Sequence, residues 1–332
     1  MIDLRFCDIR DRLPERILRK FCKEAFRDVN LYPKNYDLLI SKLARMNKVK
    51  KENILLVNGV DEGIDLITRA FGKNVLIFKP TYYEFWAASR RNGSKLEVVD
   101  AWDGEAYRPK IDSRIKGKSL IFICNPNMPF GIWRHEEIEN ICKRTKAIVA
   151  VDETYIDFFG KTALPLLKKY QNLLILRSFS KSYSLAGLRI GYIIGNKRVI
   201  EKVAEKKLLC NVTSVSVYSA LIALEEERYF RALRKRVMER KHEVEKFLEK
   251  MGFRIIPSHT NAIVLKFESE KMAGRFARFL KKNEILVTQG DYFATWGLDK
   301  SFVRIACGSS EEMKALKMTV RRFRYENSHN RR

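Results

Sequence analysis

The residue best suited to covalent chemistry is Lys181, set in the small polar run Ser178-Phe179-Ser180-Lys181-Ser182-Tyr183-Ser184. A lysine amine can condense with a carbonyl to form a Schiff base, and desolvation makes it a better nucleophile. Lysines are common in this chain, so context must single one out. Here the context is a hydroxyl three residues earlier (Ser178) and an arginine eight residues later (Arg189), both able to reach one phosphate. Asp152 closes an apolar run, where an unpaired carboxylate would be costly. It is either a cap or the partner of a protonated ring nitrogen, which would keep that ring an electron sink. Asn58-Gly59 ahead of Asp61-Glu62 reads as a helix start whose free amides can hold an anion, or as an ordinary capped turn. Tyr82 could stack on a planar ligand or belong to the core.

Elements must bring these residues together. Short apolar runs at Ile54–Val57, Val75–Phe78, Ser119–Cys124, Ala147–Val151, Leu173–Leu176 and Arg189–Ile194 read as strands. Helical patterns lie between them at Glu62–Phe71, Tyr83–Arg91, His135–Arg144 and Ile200–Leu208. Near-continuous apolar strands alternating with helices predict an α/β fold with a mostly parallel sheet covered on both faces. Such sheets bind ligands beyond the carboxyl ends of their strands. Asn58–Glu62, Pro80–Tyr82, Asn125–Asn127, Asp152–Tyr155 and Ser178–Lys181 all follow predicted strands, so one site could collect them. After Val212 the rhythm changes to long helices, notably Leu233–Met251, and then to a smaller α+β unit. That unit has strands at Ala262–Phe267, Ile285–Val287 and Phe302–Ala306, a helix at Lys271–Lys282 and a closing helix. The stretch after Val320 is expected to be an unstructured basic extension.

The chain has 332 residues, 46% hydrophobic and 32% charged, the balance of a globular protein with a sizeable core. No apolar run nears the roughly 18 residues of a membrane span, and the N-terminus lacks a signal-peptide pattern; a soluble cytoplasmic protein is expected. The 6 cysteines and 4 histidines are scattered without metal-ligand spacing, so free thiols and no metal site are expected. The net charge of +25 allows a polyanion as partner, but the basic residues are spread along the chain. Solvated helix faces account for that pattern, and no specific nucleic acid is expected.

Taken together, these stretches resemble the fold-type I pyridoxal-phosphate enzymes. Within them they are most similar to the histidinol-phosphate aminotransferase family and its relative, threonine-phosphate decarboxylase. The resemblance runs from about Tyr32 to Glu312. NGVDEGIDLITRAF is similar to that family's phosphate-cup helix, which implies backbone amides around Val60, Asp61 and Glu62 as anion donors. PTYYEF resembles its stacking motif and implies Tyr82 over the pyridine ring. VDETYIDF implies Asp152 at the pyridine nitrogen and Tyr155 near the ring hydroxyl. SFSKSYSLAGLRIGY is the most specific match. It implies Lys181 as the Schiff-base lysine of pyridoxal 5'-phosphate, with Ser178, Ser180 and Arg189 about the cofactor phosphate. Leu31-Tyr32-Pro33 resembles the segment that crosses to a partner subunit, which implies a homodimer with Tyr32 at the partner's phosphate. FVRIACGSSEE implies Arg304 as the substrate-anion residue.

The implied organisation is an N-terminal arm at 1–33, which packs on the small domain and on the partner. A seven-stranded large cofactor domain at 34–228 and a small α+β substrate domain at 229–332 with a basic tail follow. The implied reaction passes an amino group from a small-molecule donor, histidinol phosphate above all, to the 2-oxo acid 2-oxoglutarate. Decarboxylation of a phosphorylated amino acid, another amino-acid transamination, and a catalytically weak cofactor- or polyanion-binding protein are the alternatives.

Three departures from the family pattern bear on these. Where the family reads NPNNPTG, this chain has Asn125-Pro126-Asn127-Met128-Pro129-Phe130-Gly131. Met128 thus stands where an asparagine usually bonds the ring oxygen, leaving Asn127 as the candidate contact if the loop shifts. Thr288-Gln289-Gly290-Asp291 lacks the second arginine typical of phosphate-handling members. Asp8-Ile9-Arg10-Asp11-Arg12 replaces an Asn-Glu-Asn-Pro stretch, and Arg10 or Arg12 is a candidate for the missing cation.

Overall fold

The structure is a computed structural model that describes residues 1–290 and 292–329, apart from the side chains of residues 294 and 326–329. Seven strands form the larger sheet in the order Ile54–Val57, Gly191–Gly195, Leu173–Ser178, Ile148–Asp152, Leu120–Cys124, Asn74–Lys79 and Lys95–Asp100. Strand Gly191–Gly195 runs antiparallel to both neighbours, and every other pairing is parallel. The four strands Ile54–Val57, Leu120–Cys124, Ile148–Asp152 and Gly191–Gly195 are buried at every residue. Both faces are therefore covered, as their unbroken apolar sequences require. Helix Gly59–Phe71 packs on strands Leu173–Ser178 and Gly191–Gly195 and against helices Tyr83–Arg91 and Lys197–Ala204.

The antiparallel strand organises the site. Ser178 and Val57 both pair with Gly191, so the carboxyl ends of two strands meet the beginning of a third. The short excursion between Ser178 and Gly191 carries Lys181 and Arg189, and the chain leaving Val57 enters helix Gly59–Phe71 beside it. Cys124 pairs with Asp152, and Asp152 with Leu176, which sets the other strand ends level with these.

A second sheet of four antiparallel strands has the order Thr288–Gln289, Phe302–Ala306, Ala262–Lys266 and Arg254–Ile256. The amino terminus is stitched beside it. Ile2–Asp3 pairs in parallel with Ile285–Leu286, and Leu4 exchanges backbone hydrogen bonds with Leu286 and Ala306. Helix Glu227–Lys250 bridges toward this sheet, where Arg240 is paired with Asp11 at 2.7 Å.

The elements differ from expectation in several places, among them the short strands Ile2–Asp3 and Arg254–Ile256, which were not anticipated. Strand Lys95–Asp100 has no counterpart among the predicted strands. It is a sheet edge with a single fully buried residue, Val99, so its sequence lacks the apolar run that marked the others. The predicted strand Ile285–Val287 is split into Ile285–Leu286 and Thr288–Gln289, which serve different sheets. The stretch after Val320, expected to be unstructured, continues helix Ser310–His329. Met313, Leu316, Val320 and Phe323 form a buried stripe at helical spacing, and Phe323 packs edge-on against Phe276. Residues 330–332 of that expected extension lie outside the described residues.

Candidate active site

A cavity of about 390 Å³ opens at the carboxyl ends of the parallel strands, between the two sheets. Ten of the anticipated residues line it: Val60, Asp61, Tyr82, Asp152, Tyr155, Ser178, Ser180, Lys181, Arg189 and Arg304. Its volume suits a small ligand, within the roughly 300–1,000 Å³ range of such pockets.

One end is built to hold an anion. Helix Gly59–Phe71 starts with no side-chain cap, and its first-turn residues Val60 and Asp61 face the cavity. First-turn amides have no partner within a helix, and the helix dipole favours negative charge there. Gly59 has φ +75°, and a Cβ at that position would lie 2.4 Å from Nη2 of Arg189. The glycine thus permits both the turn and the close approach of the guanidinium. Arg189, itself left-handed at φ 50°, donates to Asp61 at 2.7 Å and to Ser180 Oγ at 3.5 Å. The backbone N–H of Ser180 donates to Ser178 Oγ at 3.0 Å, so both hydroxyls are gathered at this end. The Tyr82 hydroxyl donates to the other oxygen of Asp61 at 2.6 Å. Burial, then the neighbouring Asp61 carboxylate, push the Tyr82 phenol well above its ordinary pKa.

Asp152 sits on the cavity floor, 2% exposed. Its carboxylate accepts from the Thr154 N–H at 2.8 Å, and no cation pairs with it among the described residues. Burial raises its pKa to about 6, with the Thr154 bonds opposing. The next residue, Glu153, points the other way, as alternation along a strand end requires. It is bound there by Arg177 at 2.9 Å, by Thr162 and by the Ala163 N–H, which fixes the turn that aims Asp152. Lys181 enters the cavity with its side chain 19% exposed and its Nζ 3.4 Å from Asp8 Oδ1. Tyr155 is buried beside them, and burial raises its phenol pKa.

At the opposite end, the Arg304 guanidinium is 2% exposed and has no carboxylate partner among the described residues. It donates to Cys7 Sγ at 3.1 Å, to Met128 Sδ at 3.4 Å and to the Arg5 carbonyl, while its Nε has no partner. A buried, unneutralised guanidinium is costly, so an anion arriving through the cavity would relieve it.

Three anticipated residues and the two spare arginines are placed elsewhere. Asn127 does not line the cavity. Its amide donates to the Pro80 and Phe130 carbonyls, and its oxygen accepts from Thr81, so it braces the loop instead of filling the place of Met128. The Glu62 side chain turns back to the Asn58 N–H and to Asn211. Tyr32 lies outside the cavity and is 83% exposed. Neither Arg10 nor Arg12 lines the cavity, and the Arg10 guanidinium is taken by Glu312 at 2.7 Å.

Sequence reasoning missed Phe6, Cys7, Asp8, Cys124, Thr154 and Phe293, which also line the cavity. The amino-terminal three reach it only through the pairing of Ile2–Asp3 with Ile285–Leu286, a contact between chain ends that no local pattern announces. Thr154 and Cys124 were findable, because each adjoins a strand end already singled out.

The cavity fits pyridoxal 5'-phosphate on its own terms. A buried, cation-free carboxylate suits a pyridine N–H, and an uncapped helix start with Arg189 and two serines suits a phosphate. Lys181 lines the same cavity. The class I and II aminotransferase family matches residues 1–319. Histidinol-phosphate aminotransferase 1 of Bacillus thuringiensis subsp. konkukian is 34% identical over 299 residues, 85% of this chain and 78% of that protein. The crystal structure of the histidinol-phosphate aminotransferase from Clostridium acetobutylicum superposes with a TM-score of 0.88 at 24% identity, covering 98% of this chain and all of that one. L-threonine-O-3-phosphate decarboxylase from Porphyromonas gingivalis superposes at 0.85 and 23% identity, covering 97% and 99%. These two structural likenesses speak for the fold alone. With the family match and the sequence relative, the chain belongs to the class I and II aminotransferases, enzymes that use pyridoxal 5'-phosphate.

Proposed function

We propose that this aminotransferase transfers the amino group of L-histidinol phosphate to 2-oxoglutarate, a step of histidine biosynthesis. The observation that carries the reading is the joint placing of Lys181, Asp152 and the Arg189 anion end in one cavity with Arg304, a buried guanidinium that has no carboxylate partner among the described residues. The 34% identity to a protein named for that reaction supports the choice of donor.

When bound, the cofactor supplies an aldehyde that takes up amines and a cationic ring that draws electrons from the donor's α-carbon. Lys181 would hold the cofactor through its Nζ and, once free, would be the group that accepts and returns the donor's α-proton. Asp152 keeps the pyridine nitrogen protonated, since a buried carboxylate without a cation is satisfied by that N–H. Arg189, Ser178, Ser180 and the first-turn amides of Val60, Asp61 and Glu62 hold the phosphate. Tyr82 and Tyr155, which both line the cavity, would flank the ring. Met128 offers that oxygen no amide. Arg304 takes the substrate's anionic end, the phosphate of the donor or a carboxylate of the acceptor.

The working unit in this reading is a cytoplasmic homodimer in which Tyr32 reaches the partner's phosphate site. The 83% exposure of Tyr32 and the exposed Phe26, Leu31, Leu208 and Leu209 support a covering partner. Residues 34–228 would be the cofactor domain and 229–332 the substrate domain, with the arm 1–33 serving both. No described helix is long and apolar enough to cross a membrane.

The test is an assay of the purified protein with histidinol phosphate and 2-oxoglutarate. Stoichiometric glutamate is the expected result. No glutamate, together with carbon dioxide released from threonine phosphate, would sink transamination in favour of decarboxylation.

A further inference from the structure

The substrate half of the cavity holds a carboxylate as well as a guanidinium, and its position is unexplained by cofactor binding. Asp8 lines the cavity with its side chain 44% exposed, and its one partner among the described residues is Lys181 at 3.4 Å. Once Lys181 is engaged with the aldehyde it is no longer a free ammonium, so Asp8 faces the cavity with an acceptor to offer. Its place is rigid. Leu4 upstream is bonded to Leu286 and Ala306, Ile9 is buried, and Asp11 is paired with Arg240 at 2.7 Å. Two residues before Asp8, Phe6 also lines the cavity, 43% exposed, with its ring 5.7 Å from that of Phe293. A carboxylate beside two aromatic rings suits a flat heterocycle bearing an N–H or a positive charge, through a charge-assisted hydrogen bond and a cation–π contact.

We propose that Asp8 is a specificity-determining residue that accepts a hydrogen bond from the donor's imidazole ring, with Phe6 and Phe293 packing on that ring. The inference rests on the donor reading above and deepens it. Arg304 would select the anionic end of the donor and Asp8 its N–H ring, so the cavity matches a molecule of opposite character at its two ends. It also gives the Asp8-Ile9-Arg10-Asp11-Arg12 stretch, which replaces Asn-Glu-Asn-Pro, a use in substrate choice.

The experiment titrates cofactor-loaded wild type and Asp8→Asn with L-histidinol phosphate, L-histidine and L-glutamate, reading the absorbance of the lysine-bound cofactor to give an apparent Kd for each. Borohydride trapping of cofactor on Lys181 reports that each variant is folded and loaded. Asp8→Asn is expected to weaken both imidazole donors by about tenfold or more relative to glutamate. Phe293→Leu should move the ratio in the same direction by a smaller factor. Equal weakening of all three ligands would overturn the proposal, because Asp8 would then act on Lys181 instead of on the ring. An unchanged ratio, or a wild type that binds neither imidazole donor, would overturn it too. A wild type that gives no glutamate from histidinol phosphate fails the donor reading alone, since the histidine-to-glutamate ratio still reports on Asp8.

Discussion

Asp152 concentrates the chemistry of the site in one side chain. In the protein without cofactor, burial holds its pKa at about 6, against an ordinary value of 3.8. The folded state thus favours the neutral acid. Its stabilising contribution is complete below pH 3.8 and is lost as pH rises through 6, after which the buried charge costs roughly 3 kcal/mol. A pyridinium nitrogen bound there would reverse that balance by pairing with the charge. Cofactor-free Asp152→Asn should therefore unfold at a higher urea concentration than cofactor-free wild type at pH 8, and the difference should close below pH 4. The same variant should bind cofactor at least about tenfold more weakly, because an amide cannot hold the ring nitrogen protonated. Equal urea midpoints at pH 8 would show that Asp152 carries no such burden. The place of this residue in the cavity was legible in the sequence, where an acid ends an apolar strand. That Glu153 turns away to Arg177 was not, because it depends on which face of the sheet each residue meets.

At the scale of elements, the anion end depends on three chain segments converging where Val57 and Ser178 both pair with Gly191. Gly59 is the hinge of that convergence. Its φ of +75° strains any other residue, and a Cβ there would meet Arg189 at 2.4 Å, displacing the guanidinium from Asp61 and Ser180. Gly59→Ala is expected to cost about 1–2 kcal/mol of stability. Its larger effect should be on cofactor phosphate, seen as faster loss of cofactor on dilution or gel filtration. Pyridoxal, which lacks the phosphate, should be bound equally by variant and wild type, which separates the phosphate effect from general damage. Central strands and the helices between them could be read from unbroken apolar runs, because such strands are buried whatever their partners. The edge strand Lys95–Asp100 could not, since half-burial leaves a mixed sequence, and the split of Ile285–Gln289 between two sheets is a tertiary choice. The closing helix was expected, but its continuation past Val320 was not, for a different reason. Its many charges hid the stripe of Met313, Leu316, Val320 and Phe323.

At the scale of the whole molecule, what remains outside the cavity is as informative as what lines it. The resemblance implied Tyr32 at a phosphate, yet Tyr32 is 83% exposed and the phosphate end of its own cavity is furnished by other residues. Exposed Phe26, Leu31, Leu208 and Leu209 lie in its vicinity of the sequence or in the segment between helices Lys197–Ala204 and Ser214–Glu225. Single exposed apolar residues need no explanation, but Tyr32 preceded in the sequence by exposed Val29 and Leu31 is a candidate for cover by a partner. A net charge of +25 opposes association of two copies, and opposes it less as salt rises. The protein should therefore sediment as a dimer at physiological ionic strength, with any dissociation confined to low salt. Subunit mixing then tests whether Tyr32 crosses. Tyr32→Phe alone should release cofactor faster, and Lys181→Ala alone should take none covalently. In a mixed dimer of the two variants, the Tyr32→Phe protomer keeps its own Lys181 and receives an intact Tyr32 from its partner. Its cofactor release should return to the wild-type rate, measured by absorbance after dilution. If each variant keeps its own defect on mixing, Tyr32 serves its own subunit and the crossing is wrong.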